Sequence, residues 1–241
     1  MQFSHIKRFQ ENTVYLIGGG PGDIGHLTMD AVSILSQSEV ILHDMFLDSL
    51  HPNFSQAEWI HVGKQKGHHI KKQSEINEML FHYVSSGKKT VRLKAGDASF
   101  FARSSEEIEY LSERNVRTSI IPGISSPQLL CEELNDSLTH RTLTRNLSFW
   151  SGYWDKEISE NETPLTDGHI IFMGSGQLQK IAEKLHSKGI PLNENIIIAS
   201  NLGRNEKKIS HITIQDAISG NIPEMQSPSL IAVGFRHIVK P

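Results

Sequence analysis

The chain has 241 residues, room for one large domain or two of ordinary size, with 24 Lys and Arg set against 27 Asp and Glu. That near balance, a formal charge of −3, leaves no basic footprint for nucleic acid, and no apolar run approaches the length of a membrane span. The single cysteine, Cys131, excludes an internal disulfide and a thiolate metal cage, and the polar N-terminus lacks the apolar core of a signal peptide, so a reducing, cytoplasmic setting is expected.

Thr13 to Ile17 is apolar and β-prone and reads as a buried strand. A glycine-dense turn, Gly18 to Asp23, follows. Leu27, Ala31, Ile34 and Leu35 then fall on one face of a helix, and Val40 to Leu42 makes a second strand ending at His43-Asp44. A parallel β-α-β unit places such a turn and such a strand end on one edge of the sheet, where α/β proteins bind ligands. Two ligand-binding readings of the turn stay open, beside that of a tight strand-to-helix turn that holds no ligand. Gly20, Gly22 and Gly25 match G-x-G-x-x-G, with Asp44 at the distance of a ribose-binding acid, which points to a nicotinamide-dependent oxidoreductase. Against it, Pro21 removes a backbone donor and Asp23 brings a carboxylate to where a pyrophosphate would lie, which favours a ligand without phosphates.

Met45 to Pro52 reads as a short helix or loop, and Trp59 to Val62 as a strand emptying into a basic, histidine-rich loop, Gly63 to His69. The adjacent His68 and His69 lack the spacing of metal ligands, and no metal is expected. Ser74 is placed to cap a helix with Ile76, Leu80, Tyr83 and Val84 inward and Gly87 as its stop. Thr90 to Leu93 is a strand ending in Lys94-Ala95-Gly96-Asp97. Ser104 and Glu107 form a capping-box pattern opening a helix through Leu111, and Thr118 to Ile121 is a fifth strand cut off by Pro122-Gly123. Past Ser125 the pattern restarts. A helix is expected from Pro127 to Leu134 with Cys131 buried, then a polar loop at Leu138 to Arg141. Strands follow at Leu147 to Trp150, Ile170 to Met173, Ile196 to Ala199, Lys208 to Ile214 and Leu230 to Val233, with a helix at Gln177 to Lys188 and an acidic surface loop at Asp155 to Asp167. The fold class is α/β, in two α/β domains, 12–122 and 123–241.

Several motifs stand in one order: GGGPGD after the first strand, a strand ending in Asp44, VGK at Val62 to Lys64, QSEIN at Gln73 to Asn77, VRLKAGD at Val91 to Asp97, a phenylalanine-rich run to Arg103, PGISS at Pro122 to Ser126, LTHR at Leu138 to Arg141, and FMG at Phe172 to Gly174. The set resembles the uroporphyrinogen-III C-methyltransferases of the tetrapyrrole methylase family over nearly the whole chain from Thr13. The resemblance implies a homodimeric two-domain methyltransferase that binds S-adenosylmethionine in the cleft between domains and converts uroporphyrinogen III to precorrin-2 by methylating C2 and C7, in sirohaem or cobalamin-type biosynthesis. It implies cofactor contacts from Pro21, Ala95, Gly96, Asp97, Phe100, Ser125, Ser126, Met173 and Gly203. It points to Asp44 as proton acceptor and to Lys64 as its partner or a proton donor. A substrate rich in carboxylates should meet cations, and Lys64, Arg103 and Arg141 are the candidates, with Glu106 also on the substrate side and Lys66 and His140 in reserve. The chain departs from the family pattern at Met45, where an arginine is usual, at Ala95, Ala98 and Ser99 within Gly-Gly-Asp-Pro-Phe, and at Ser104-Ser105 in place of a double glycine. These departures leave open a divergent methylase for another tetrapyrrole.

Overall fold

The computed structural model describes residues 7–63, 71–153 and 166–235. The chain divides into two compact units, Met1–Ser125 and Ser126–Pro241.

In the first unit the strands are β1 (Thr13–Gly18), β2 (Val40–His43), β3 (Glu58–His61), β4 (Thr90–Lys94) and β5 (Arg117–Ile121), all parallel, in the order β3-β2-β4-β1-β5. The helices are α1 (Met29–Leu35), α2 (Gln73–Ser85) and α3 (Ser104–Ser112). Strand alternation divides the core. Tyr15, Ile17, Ile41 and Leu93 face α1, through Ala31, Ile34 and Leu35. Val14, Leu16, Val40 and Leu42 face α2 and α3, through Ile76, Leu80, Val84 and Leu111. The chain therefore leaves the neighbouring strands β1 and β4 toward opposite faces of the sheet, which is where open parallel sheets accept ligands.

Two helix starts differ from the sequence reading. Ser74 lies inside α2. The start is closed by the Glu75 carboxylate, which accepts from the backbone N–H of Lys72. Ser104 and Glu107 form no capping box. The Ser104 hydroxyl donates to the Ala98 carbonyl, and Glu107 turns into the core, where two buried cations outcompete the helix end for its charge.

The second unit opens with α4 (Ser126–Leu134) and holds β6 (Leu147–Ser151), β7 (Gly168–Phe172), α5 (Leu178–Ser187), β8 (Asn195–Ser200), β9 (Lys208–Thr213), α6 (Ile214–Ile218) and β10 (Ser229–Val233). The sheet order is β6-β7-β10-β8-β9. Only β6 and β7 pair in parallel; the other neighbours are antiparallel. Leu178, Ile181, Ala182 and Leu185 of α5 and Ile214 and Ala217 of α6 pack on Ile171, Ile196, Ile198, Ile231 and Val233. Ile214 is a correction, because it opens a helix instead of ending a strand. Thr213 caps that helix in a box with Asp216. Cys131 is another: it is half-buried on α4, while Leu129 and Leu130 face inward. Burial still pushes its thiol above the ordinary value.

Candidate active site

Three backbone segments of the first unit meet at the ends of β1 and β4. The Gly19 N–H donates to the Lys94 carbonyl at 2.7 Å, and Gly20 and Gly96 exchange backbone hydrogen bonds at 3.1 and 2.8 Å. Gly18 and Gly123 pass so closely that a Cβ on Gly18 would stand 2.7 Å from the Gly123 Cα and from the Gly96 carbonyl oxygen. Asp97 locks the junction. One carboxylate oxygen accepts from the Ser99 N–H at 2.6 Å and from the Ser99 hydroxyl, the other from the Gly123 N–H at 2.8 Å. A carboxylate offers about four acceptor sites, and the described residues fill three of them. Gly22, at φ +99°, lies under the 44–49 segment, so close that a Cβ there would stand 2.2 Å from the Phe46 carbonyl oxygen.

This geometry decides against the dinucleotide reading. The N–H of Gly22 donates to the Gly19 carbonyl at 3.3 Å and that of Gly25 to the Asp23 carboxylate at 2.7 Å. With Gly20 bonded to Gly96, all three fingerprint glycines have their N–H groups taken by the protein's own acceptors, that of Gly25 by the exposed Asp23 side chain, instead of left for a phosphate. In a dinucleotide fold the acid-bearing second strand lies beside the first, whereas here β4 separates β2 from β1. The helix begins only at Met29, capped by Thr28.

Beside this junction lies a buried charge cluster that the sequence reading missed. Asp44, its side chain 28% exposed at the end of β2, is paired with Nη2 of Arg92, whose own side chain is 4% exposed. The Arg92 Nε meets Glu107 at 3.0 Å, and its Nη1 donates to the Leu93 and Leu42 carbonyls at 3.0 and 3.3 Å. Lys94, also buried, pairs with the other oxygen of Glu107 at 2.9 Å and donates to the Ala102 carbonyl at 2.6 Å. Two acids and two bases balance. Burial works against the charge on Arg92, but Asp44 and Glu107 outweigh it and hold the guanidinium above its ordinary pKa. Burial, joined by the like charge of Arg92, lowers the pKa of Lys94. Burial likewise lowers that of His43, the residue before Asp44. A signal for the cluster was present: Arg92 and Lys94 stand two apart in a parallel strand whose neighbours are apolar, and charges there require partners.

The other predicted residues fall as follows. Pro21 and Ser125 are buried, Gly96 is half-buried, and Ala95 and Phe100 are exposed beside them in sequence. Arg103 and Glu106 pair with each other through two 2.7 Å hydrogen bonds on the exposed start of α3. Each shifts the other, the guanidinium up and the carboxyl down. Ser126, Met173, Gly203 and Arg141 belong to the second unit. There Met173 is 53% exposed at φ +55°, Gly203 has φ +71°, and Arg141 is exposed in a loop. Lys64, Lys66, His68, His69 and most of the 155–167 loop lie outside the described residues. Among the described residues no group of three or more His, Cys, Asp or Glu could hold a metal ion, and no helix is long and apolar enough to cross a membrane.

Residues 13–218 match the model of the Tetrapyrrole (Corrin/Porphyrin) Methylases. The S-adenosyl-L-methionine-dependent uroporphyrinogen III methyltransferase, chloroplastic, of Arabidopsis thaliana is 34% identical over 186 residues, 74% of this chain, and the chain spans 50% of that protein's length. The uroporphyrinogen-III C-methyltransferase of Bacillus subtilis is 34% identical over 230 residues, covering 92% of this chain and 89% of that one. A solved structure of the uroporphyrin-III C-methyl transferase of Thermus thermophilus, complexed with S-adenyl homocysteine, superposes with a TM-score of 0.77 at 28% identity, over 92% of this chain and 97% of that one.

Proposed function

The chain belongs to the tetrapyrrole (corrin/porphyrin) methylase family, and on that premise we propose that it is an S-adenosylmethionine-dependent C-methyltransferase. Its reaction converts uroporphyrinogen III to precorrin-2 by methylation at C2 and C7, in sirohaem or cobalamin-type tetrapyrrole biosynthesis. The observation that carries this reading is the glycine junction at the ends of β1 and β4. It presents a carboxylate and tightly folded backbone, the Gly20 and Gly22 N–H groups taken by Gly96 and Gly19, one strand away from the Asp44 carboxylate. Such a place fits a cationic sulfonium ligand without phosphate better than a dinucleotide.

In the first unit Pro21, Ala95, Gly96, Asp97, Phe100 and Ser125 hold the cofactor. Asp97 keeps an acceptor site for a polar group of the ligand, and the exposed Phe100 ring offers apolar surface. Ser126, Met173 and Gly203 supply the remaining contacts from the second unit. The cofactor, when bound, supplies a methyl group on a good leaving group, so the protein's task is alignment. Arg103, Glu106 and Arg141 meet the substrate's polar rim. Each methylation of a pyrrole carbon leaves the ring cationic, so a proton must be lost from the ring system to restore neutrality, and Asp44, held by Arg92 and partly open to solvent, takes it. Lys64 acts as the partner of Asp44 or as a proton donor. The protein works as a cytoplasmic homodimer.

Incubation with S-adenosylmethionine and reduced uroporphyrinogen III tests the reading. A product heavier by two methyl groups supports it. Turnover on a different reduced tetrapyrrole only would move the substrate assignment, as the departures at Met45, Ala98 and Ser104 allow. No transfer to any reduced tetrapyrrole would reject it.

A further inference from the structure

Glu107 is placed neither with the reacting groups nor with the cofactor contacts, yet it is tied to both. Its side chain is fully buried, and each carboxylate oxygen serves a different arm. Oε1 accepts from Arg92 Nε at 3.0 Å, and the same guanidinium grips Asp44. Oε2 faces Lys94 Nζ at 2.9 Å, and the same ammonium donates to the Ala102 carbonyl at 2.6 Å, closing the loop over residues 95–102. The Arg92 fork is held further by the Leu42 and Leu93 carbonyls, so it has little freedom to follow a moving Asp44. Gln73, from α2, adds a hydrogen bond to Oε1 at 3.2 Å. Buried ion networks are weak devices for stability, since apolar replacements often serve as well, and in some proteins what they supply instead is a fixed geometry.

We infer that Glu107 is a positioning residue that registers the proton acceptor Asp44, through Arg92, against the cofactor loop 95–102, through Lys94. The inference rests on the proposed roles of Asp44 and of that loop. It predicts a separation of effects that a merely structural charge cluster would not produce. Loss of the first arm acts on turnover, loss of the second on cofactor affinity, and loss of the hub on both.

The test measures kcat for methyl transfer at saturating S-adenosylmethionine, and the Kd of S-adenosylhomocysteine by calorimetry, on the full chain. Arg92→Lys keeps the charge but not the fork, and is expected to lower kcat by about a hundredfold while Kd stays within about twofold. Lys94→Met is expected to raise Kd about tenfold and to lower kcat by less than that. Glu107→Gln is expected to do both. Should Glu107→Gln fail to fold by circular dichroism, the charge-balanced pair Lys94→Met with Glu107→Gln takes its place, with the same double effect expected. A parent protein that transfers no methyl group overturns the functional reading and this inference together. With an active parent, equal losses in both quantities for Arg92→Lys and Lys94→Met overturn the inference alone. So does a hub variant altered in only one of the two, or in neither.

Discussion

Asp44 stood out from the sequence as an acid at the end of a parallel strand, but its setting did not. Its partner Arg92 lies 48 residues away, and nothing local announces the pairing. Glu107 was hidden for a different reason. Three residues past Ser104, it satisfied a capping pattern, and the buried cations that claim it come from β4. If Asp44 takes the proton, Asp44→Asn should lower kcat by roughly 10²- to 10⁴-fold and leave S-adenosylhomocysteine affinity near that of the parent. Glu107→Ala, which strands two buried cations, should cost about 3–5 kcal/mol in denaturant unfolding. His169 makes a prediction in pH. It is buried on β7 with Nδ1 2.9 Å from the Ser148 hydroxyl, and burial lowers its pKa from 6.5 to about 4. The unfolded chain takes up that proton near pH 6.5 and the folded chain only near 4, so the unfolded state binds more protons between those values. Stability should therefore fall as pH drops through that window, by up to about 3 kcal/mol from this group. His169→Gln should show a shallower loss from pH 6.5 to 4. An unchanged pH slope would remove His169 as the cause.

At the level of elements, apolar periodicity placed the strands and long helices within a residue or two, because the buried face of each is written into its own spacing. The errors gathered at helix starts and one strand end. Polar side chains there choose between a local backbone N–H and a distant partner, and only the folded chain settles the choice. Thr213 took the local option and started α6, whereas Glu107 took the distant one. The glycine turn could be picked out from sequence as a candidate ligand edge, but not the class of ligand its geometry suits. That depended on where its N–H groups point, and they point to residues 94–96 and back into the turn. Gly123 belongs to this element pair as much as Gly18 does. A Cβ on Gly123 would come within 2.6 Å of the Gly18 carbonyl carbon and oxygen, so backbone must move. Gly123→Ala should cost about 1–3 kcal/mol in unfolding and weaken S-adenosylhomocysteine binding, since the shift passes directly to Gly96 and Asp97.

For the whole molecule, two predictions follow from the proposed cofactor and assembly. S-adenosylhomocysteine at 100 times its Kd should add about 2.7 kcal/mol to stability, read as a rise in Tm, and NAD should add nothing. Sedimentation equilibrium should give twice the chain mass of 27.1 kDa. The chain's own order of residues was enough for an α/β class, for a change of pattern past Ser125, and for a family resemblance carried by ordered short motifs, because each of these is a property of neighbours along the backbone. Tertiary structure alone decided three things: that β4 lies between β1 and β2, that the turn's donors are satisfied from within, and that Asp44, Arg92, Glu107 and Lys94 form one cluster. The reason is physical. Strand order and buried charge pairing join residues 13 to 76 positions apart through a low-dielectric interior, where an unmatched charge or donor is costly, and that matching is made between elements and not along them.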